Sequence, residues 1–113
     1  AVLAADYTIS TLVSNSILKD EGKGDGGLFK GIFIRYFTDL IQQDRLDAGA
    51  KRRYTQFLKT NAETLWTQGT NKSNVLFGTY WRTAPGASTG LTEQLSGCML
   101  IEAAALLEDL DIL

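Results

Sequence analysis

The side chains that carry most acid–base and nucleophilic chemistry at neutral pH are nearly missing from this chain. Its 113 residues include no histidine and a single cysteine, Cys98. Histidine-dependent triads and the common zinc hydrolase sites are thereby excluded, as are an internal disulfide and a thiolate zinc cluster. Chemistry here must use carboxylates, amines, hydroxyls or bound cations. Two carboxylates alone can hydrolyse a glycosidic bond, one as acid and the other as nucleophile or base. The adjacent pair available is Asp20-Glu21, in a glycine-rich stretch without neighbouring aromatics, which reads as solvated loop charge. Asp25 is better placed, directly ahead of an aromatic helix, but it stands alone. Asp20 and Asp25 lack the alternating oxygen ligands and terminal Glu of a calcium loop. No strand leads into Gly-Lys-Gly and no Gly-Lys-Ser/Thr follows, so a phosphate cradle is not expected either. Cys98, between Gly97 and Met99 in an apolar run, reads as a small buried residue. No metal or cofactor is expected.

Binding chemistry is better represented. From Gly24 to Ile41 a flexible turn becomes a helix with a heavy apolar face. Leu28, Ile32, Tyr36 and Leu40 form one i, i+4 row, and Phe29, Phe33, Phe37 and Ile41 form the next. Gly22, Gly24, Gly26 and Gly27 bracket Asp25 just before this stripe. A polar, adaptable loop feeding a rigid helix can present a ligand site, or the glycines serve only a sharp turn. Farther on, Tyr80 and Trp81 precede Arg82. The rings could offer flat faces to a ligand oriented by Arg82, or they could plug the end of the core.

The elements that must position these groups follow from hydrophobic periodicity. Residues 3 to 18 read as a first helix, through Ala5, Ile9, Leu12, Val13, Ser16 and Ile17. A loop from Lys19 to Gly27 leads into the second helix, about Gly27 to Gln43. After a link from Asp44 to Gly49, a third helix runs from about Ala50 to Gln68, with Tyr54, Phe57, Leu58, Asn61, Ala62, Leu65 and Trp66 on one stripe. Asn61 within that stripe needs buried partners, and a bond to neighbouring backbone is the expected use. Periodicity lapses from Thr70 to Gly90, a long irregular stretch for a compact domain. Thr92 is the expected N-cap of a last helix ending near Asp109, with Glu93 in its first turn. That helix is apolar nearly all round and reads as an inner layer. Its Glu102 calls for a buried partner such as Arg35, or else for a place in a site.

The bulk numbers fit one soluble-type domain. Apolar residues are 44% and charged residues 21%, with a net charge of −2. The only basic cluster is Lys51-Arg52-Arg53, so no nucleic-acid partner is indicated. No apolar window is long enough to span a membrane. Four helices, one heavily apolar, with unequal loops and no long strand, indicate an excerpt of a larger layered helical fold rather than a closed four-helix bundle. A helical protein-interaction module, its aromatic stripe covered by a partner, is the alternative.

One stretch resembles a known family. Asp25-Gly26-Gly27-Leu28-Phe29-Lys30-Gly31-Ile32-Phe33-Ile34-Arg35-Tyr36 is similar to the segment of glycoside hydrolase family 76, the α-1,6-mannanases, reading Asp-Gly-x-x-Phe-Lys-Gly-Ile-Phe-x-Arg-Tyr. Asn61-Ala62 with Trp66, Phe77-Gly78 with Trp81, and Thr92-x-Gln94-x-Ser96-Gly97 with Glu102-Ala103 resemble its following elements in order. The resemblance implies an all-α fold, with four helices forming part of an (α/α)6 barrel, an incomplete toroid. It also implies a parent about three times as long, acting on α-1,6-mannan or a related polysaccharide in an extracellular, periplasmic or cell-surface location. Residues 1–113 are then the C-terminal third, and they lack the adjacent Asp-Asp that the family uses for catalysis. Loop position and resemblance together make Asp25, Phe29, Lys30, Tyr80 and Trp81 the candidate sugar contacts. The remaining barrel helices, or self-association, would cover the apolar faces.

Overall fold

The computed structural model describes residues 1–113. In chain order it contains α1 (Val2–Thr11), β1 (Val13–Ser14), β2 (Ile17–Leu18), α2 (Asp25–Ile41), α3 (Ala48–Thr67), β3 (Thr70–Asn71), β4 (Leu76–Phe77) and α4 (Leu91–Asp109). Four helices carry the fold, as the periodicity predicts. No helix is long and apolar enough to cross a membrane.

The principal pair is α2 against α4. Small residues let them approach closely: on α2, Gly27 faces Thr92 and Glu93 of α4, and Gly31 faces Ser96 and Met99. A Cβ at Gly31 would lie 2.6 Å from Met99 Sδ and 2.9 Å from Ser96 Cα. The Ser96 hydroxyl donates to the Gly27 carbonyl at 2.6 Å and accepts from the Gly31 amide at 3.2 Å. One buried hydroxyl thus joins two polar groups of the facing backbone where no side chain intervenes.

This crossing decides which face of α2 is inside. The buried residues are Gly27, Lys30, Gly31, Ile34, Phe37, Thr38 and Ile41. In the row Leu28, Ile32, Tyr36 and Leu40, Ile32 and Tyr36 are exposed and the other two half-buried, and Phe29 of the neighbouring row is 55% exposed. The apolar stripe is therefore wider than the core that this chain supplies. On α3 the buried residues are Ala50, Tyr54, Phe57, Leu58, Asn61, Ala62 and Leu65, as the spacing predicts, but Trp66 is exposed. Asp47 caps α3 by accepting from the Ala50 amide at 3.0 Å. Phe37 joins the two helices, its ring 5.1 Å from Tyr54 and 5.9 Å from Phe57.

Other expectations are corrected. The first helix stops at Thr11 rather than residue 18, because Asn15 and Ser16 adopt φ of 51° and 69° and reverse the chain. Two positive φ values match the hairpin turn that pairs Val13 with Leu18 and Ser14 with Ile17. The stretch after α3 is likewise built around a second hairpin, with Thr70 opposite Phe77. Gly90, not Thr92, is the N-cap of α4. That helix is buried only along Glu93, Ser96, Gly97, Leu100, Ala103 and Leu107. Cys98 and Glu102 are exposed, and Glu102 has no ion pair with Arg35. The single salt bridge joins Arg53 to Asp6 at 3.4 Å.

Candidate functional site

Both hairpins, the loop from Lys19 to Gly24 and the loop from Gly78 to Gly90 emerge where α1 and α3 end and where α2 and α4 begin. Buried polar side chains hold these segments together. Asn61 on α3 accepts from the Leu18 amide at 3.1 Å and donates to the carbonyls of Ser16 and Phe57 at 3.0 and 2.9 Å. This is the structural use expected of it. Gln94 on α4 accepts from the Phe77 amide and donates to the Val75 carbonyl, pinning the second hairpin. Asn71 donates to the Gly86 carbonyl and Thr89 to the Phe77 carbonyl, closing the long loop upon that hairpin. Arg82 donates to the Asn15 carbonyl at 2.7 Å, joining the two hairpins. Arg82 is therefore a tie between loops rather than a group free to orient a ligand.

The framed space is a cleft of about 900 Å³. Asp20, Lys23, Tyr80, Thr89, Thr92 and Glu93 are among the 16 residues that line it, of which only 3 are hydrophobic. A smaller recess of about 330 Å³ lies beside it, bounded by Leu12, Leu18, Glu21, Phe29, Lys30 and Phe33. Asp20 borders both.

The five expected contact residues fall into different environments. Tyr80 lines the large cleft and is half-buried, while Phe29 lines the small recess and is exposed. Asp25 is exposed in the first turn of α2, where the helix dipole favours its charge. Trp81 corrects the expectation of a stacking face, since it is fully buried. Lys30 is only 3% exposed, and its ammonium lies 4.6 Å from the centroid of the Trp81 ring. It donates to the Thr79 carbonyl. Lys30 and Trp81 thus sit beneath the cleft wall and support the backbone from which Tyr80 projects.

The electrostatics centre on Lys30. Burial pulls its ammonium down from 10.5 to about 8, although Asp20 and Glu21 both favour the charged form. Burial also raises the Glu21 carboxyl, with Lys30 opposing. Asp20 accepts from the Gly22 amide at 2.8 Å and from the Thr79 hydroxyl at 3.3 Å. Asp20 and Glu21 are both exposed, as expected of loop charge, but they also face Lys30, and Asp20 ties its loop to Thr79. Their sequence held no sign of this, because the partners Lys30 and Thr79 are distant along the chain. Glu93 was also missed as a site residue. Only its place in the first turn of α4 could have hinted at it.

No group of three or more metal-binding side chains gathers anywhere in the chain. The arrangement suits recognition of a hydroxyl-rich ligand: carboxylate acceptors, hydroxyls and a partly exposed aromatic ring around an open cleft. 

Comparison with known proteins gives this geometry a context. No protein-family model and no curated protein sequence matches the chain. Among solved structures, the GH76A α-1,6-mannanase of Salegentibacter sp. HEL1_6 is 43% identical over 95% of this chain, with a TM-score of 0.91. An inactive variant of that mannanase, with two consecutive aspartates replaced by alanine and α-1,6-mannotetrose bound, superimposes with a TM-score of 0.90. The Lin0763 protein of Listeria innocua is 37% identical over 92% of the chain, with a TM-score of 0.79. The chain spans about a third of the length of these structures, 32% of the mannanase and 29% of Lin0763. Its four helices accordingly form part of an (α/α)6 toroid. At this identity over nearly all of its residues, the chain belongs to glycoside hydrolase family 76.

Proposed function

We propose that this chain is the C-terminal third of a glycoside hydrolase acting on α-1,6-mannan, supplying cleft wall and sugar contacts. The observation that carries the reading is the 43% identity, at a TM-score of 0.91, to a mannanase. A relative of the same structure binds α-1,6-mannotetrose. The chain contains no adjacent Asp-Asp, so the hydrolytic pair belongs to the preceding two thirds, and residues 1–113 by themselves are inactive. Tyr80 offers its ring to the apolar face of a pyranose in the large cleft. Phe29 reaches sugar from the neighbouring recess, and Asp25 from its exposed place in the first turn of α2. Lys30 and Trp81 act from below, setting the position of the Thr79-Tyr80 backbone. The family resemblance supports a location of the complete protein outside the cytoplasm, in the periplasm, at the cell surface or in the medium.

The exposed apolar residues fit the same account. Leu3, Tyr7, Ile32, Tyr36, Leu95 and Leu106 are each at least 40% exposed, and on α2 they continue the core stripe. Helices of the rest of the barrel cover them, and an isolated chain would self-associate through them.

The reading is tested by a chimera in which this chain replaces the corresponding third of the Salegentibacter mannanase. A folded chimera that hydrolyses α-1,6-mannan supports it. A chimera with native helicity and cooperative melting but no hydrolysis rejects it. A monomeric chain that neither completes the barrel nor binds mannan would instead be a helical interaction module.

A further inference from the structure

Glu93 is the buried ionisable side chain that the packing leaves half used. It is 3% exposed, yet it lines the 900 Å³ cleft together with Gly90 and Thr92, the residues on which its carboxylate rests. Oε2 accepts from the Thr92 hydroxyl at 3.1 Å. Oε1 is buried without a hydrogen-bond partner in the chain. A Cβ at Gly90 would collide with the carboxylate, and one at Gly27 would lie 3.2 Å from Glu93 Cγ. The two glycines therefore open the space in which this side chain lies, where α2 and α4 both begin.

We infer that Glu93 Oε1 is a hydrogen-bond acceptor for one hydroxyl of a sugar bound in this cleft, making Glu93 a specificity-determining residue. The inference rests on the mannan reading and adds to it a contact that neither the motif nor the loop positions indicated. Glu93 lies in the first turn of α4 and its Oε2 is held by the Thr92 hydroxyl, so its other oxygen is a preorganised acceptor. A hydroxyl is the donor that fits. A cation would need further charged oxygens, and no cluster of three metal-binding side chains exists here. An isolated apolar ligand would leave Oε1 unpaired, which selects against it.

The test is an amide-detected NMR titration of the chain, carried as the C-terminal third of the folded chimera above with its catalytic Asp pair replaced by alanine, with α-1,6-mannotetraose, alongside Glu93→Gln and synthetic tetraoses lacking one hydroxyl each. The wild-type chain should bind, with shifts at Tyr80 and Thr89 to Glu93. Glu93→Gln should bind roughly ten- to hundredfold more weakly, as expected for a lost bond to a charged group. One deoxy analogue should lose a similar factor against wild type and almost nothing further against Glu93→Gln. That coupling is a signature that a purely structural role of Glu93 would not produce. Wild-type binding with no coupling to any hydroxyl overturns this inference and leaves the mannan reading intact. Failure of the wild-type chain to bind overturns both. Should Glu93→Gln not fold, a crystal structure of the wild-type complex decides alone. A sugar oxygen about 2.5–3.0 Å from Oε1 sustains the inference, and none within hydrogen-bond reach removes it.

Discussion

Replacing Lys30 by methionine should change how stability depends on pH, and the structure sets both sign and size. The ammonium is buried among Trp81 and the Thr79 carbonyl, and it titrates near 8 in the folded chain against 10.5 ordinarily. Below pH 8 both folded and unfolded chains are protonated at this site, and the folded state bears the full cost of the buried charge. Between about 8 and 10.5 the unfolded chain still holds a proton that the folded chain has released. Stability therefore rises with pH across this window. The interval corresponds to about 3 kcal/mol in total, of which about 2.5 kcal/mol should be recovered between pH 7 and 10. Lys30→Met has no proton to release and should lack this rise. Urea unfolding of both chains at pH 7, 8, 9 and 10, followed by circular dichroism, measures the difference directly. Groups titrating independently of Lys30 cancel in the comparison. Tyr54, pushed up to about 12 by burial and by its bond to Asp6, titrates above the window and acts with the opposite sign. Parallel stability curves for the two chains from pH 7 to 10 would refute the reasoning.

Three further outcomes follow from the packing. Gly97→Ala drives a Cβ into the Phe77 ring, whose own Cβ would be 2.6 Å away. The overpacking should cost about 1–3 kcal/mol and lower the melting temperature by several degrees, whereas a shift under about 1 °C would contradict the close α4–hairpin contact. Asn61→Leu removes the bonds to Leu18, Ser16 and Phe57 and should cost about 2–4 kcal/mol, with faster hydrogen exchange at the Leu18 amide. An unchanged Leu18 rate would show that the first hairpin is not held by α3. Cys98 is exposed, so a thiol reagent should label the native chain nearly as fast as the urea-unfolded chain; strong protection would mean that this face of α4 is covered.

Much of the helical skeleton was legible in the residues because it is local. The periodic stripe of α3 needs only neighbours a turn away, and the buried set from Ala50 to Leu65 matches the spacing almost residue for residue. Hydrogen-bond demand was also readable. An Asn within an apolar stripe must find partners, and Asn61 finds three. The two-residue strands were not legible, since strands this short have no periodicity, and Asn15-Ser16 is a less overt turn signal than Asn-Gly.

What the sequence by itself determined was the set of helices, the absence of histidine-based catalysis from residues 1–113, and the family motif from Asp25 to Tyr36. Tertiary structure decided which apolar residues are core and which groups share a site. Both depend on contacts between distant segments. Ser96 draws α4 against Gly27 and Gly31, and that crossing turns Lys30 inward while leaving Phe29 and Tyr36 outside. It also fixes the start of α4 beside the start of α2, where Glu93 is buried. A helical period specifies a stripe, but only the partner helix selects the part of it that water leaves.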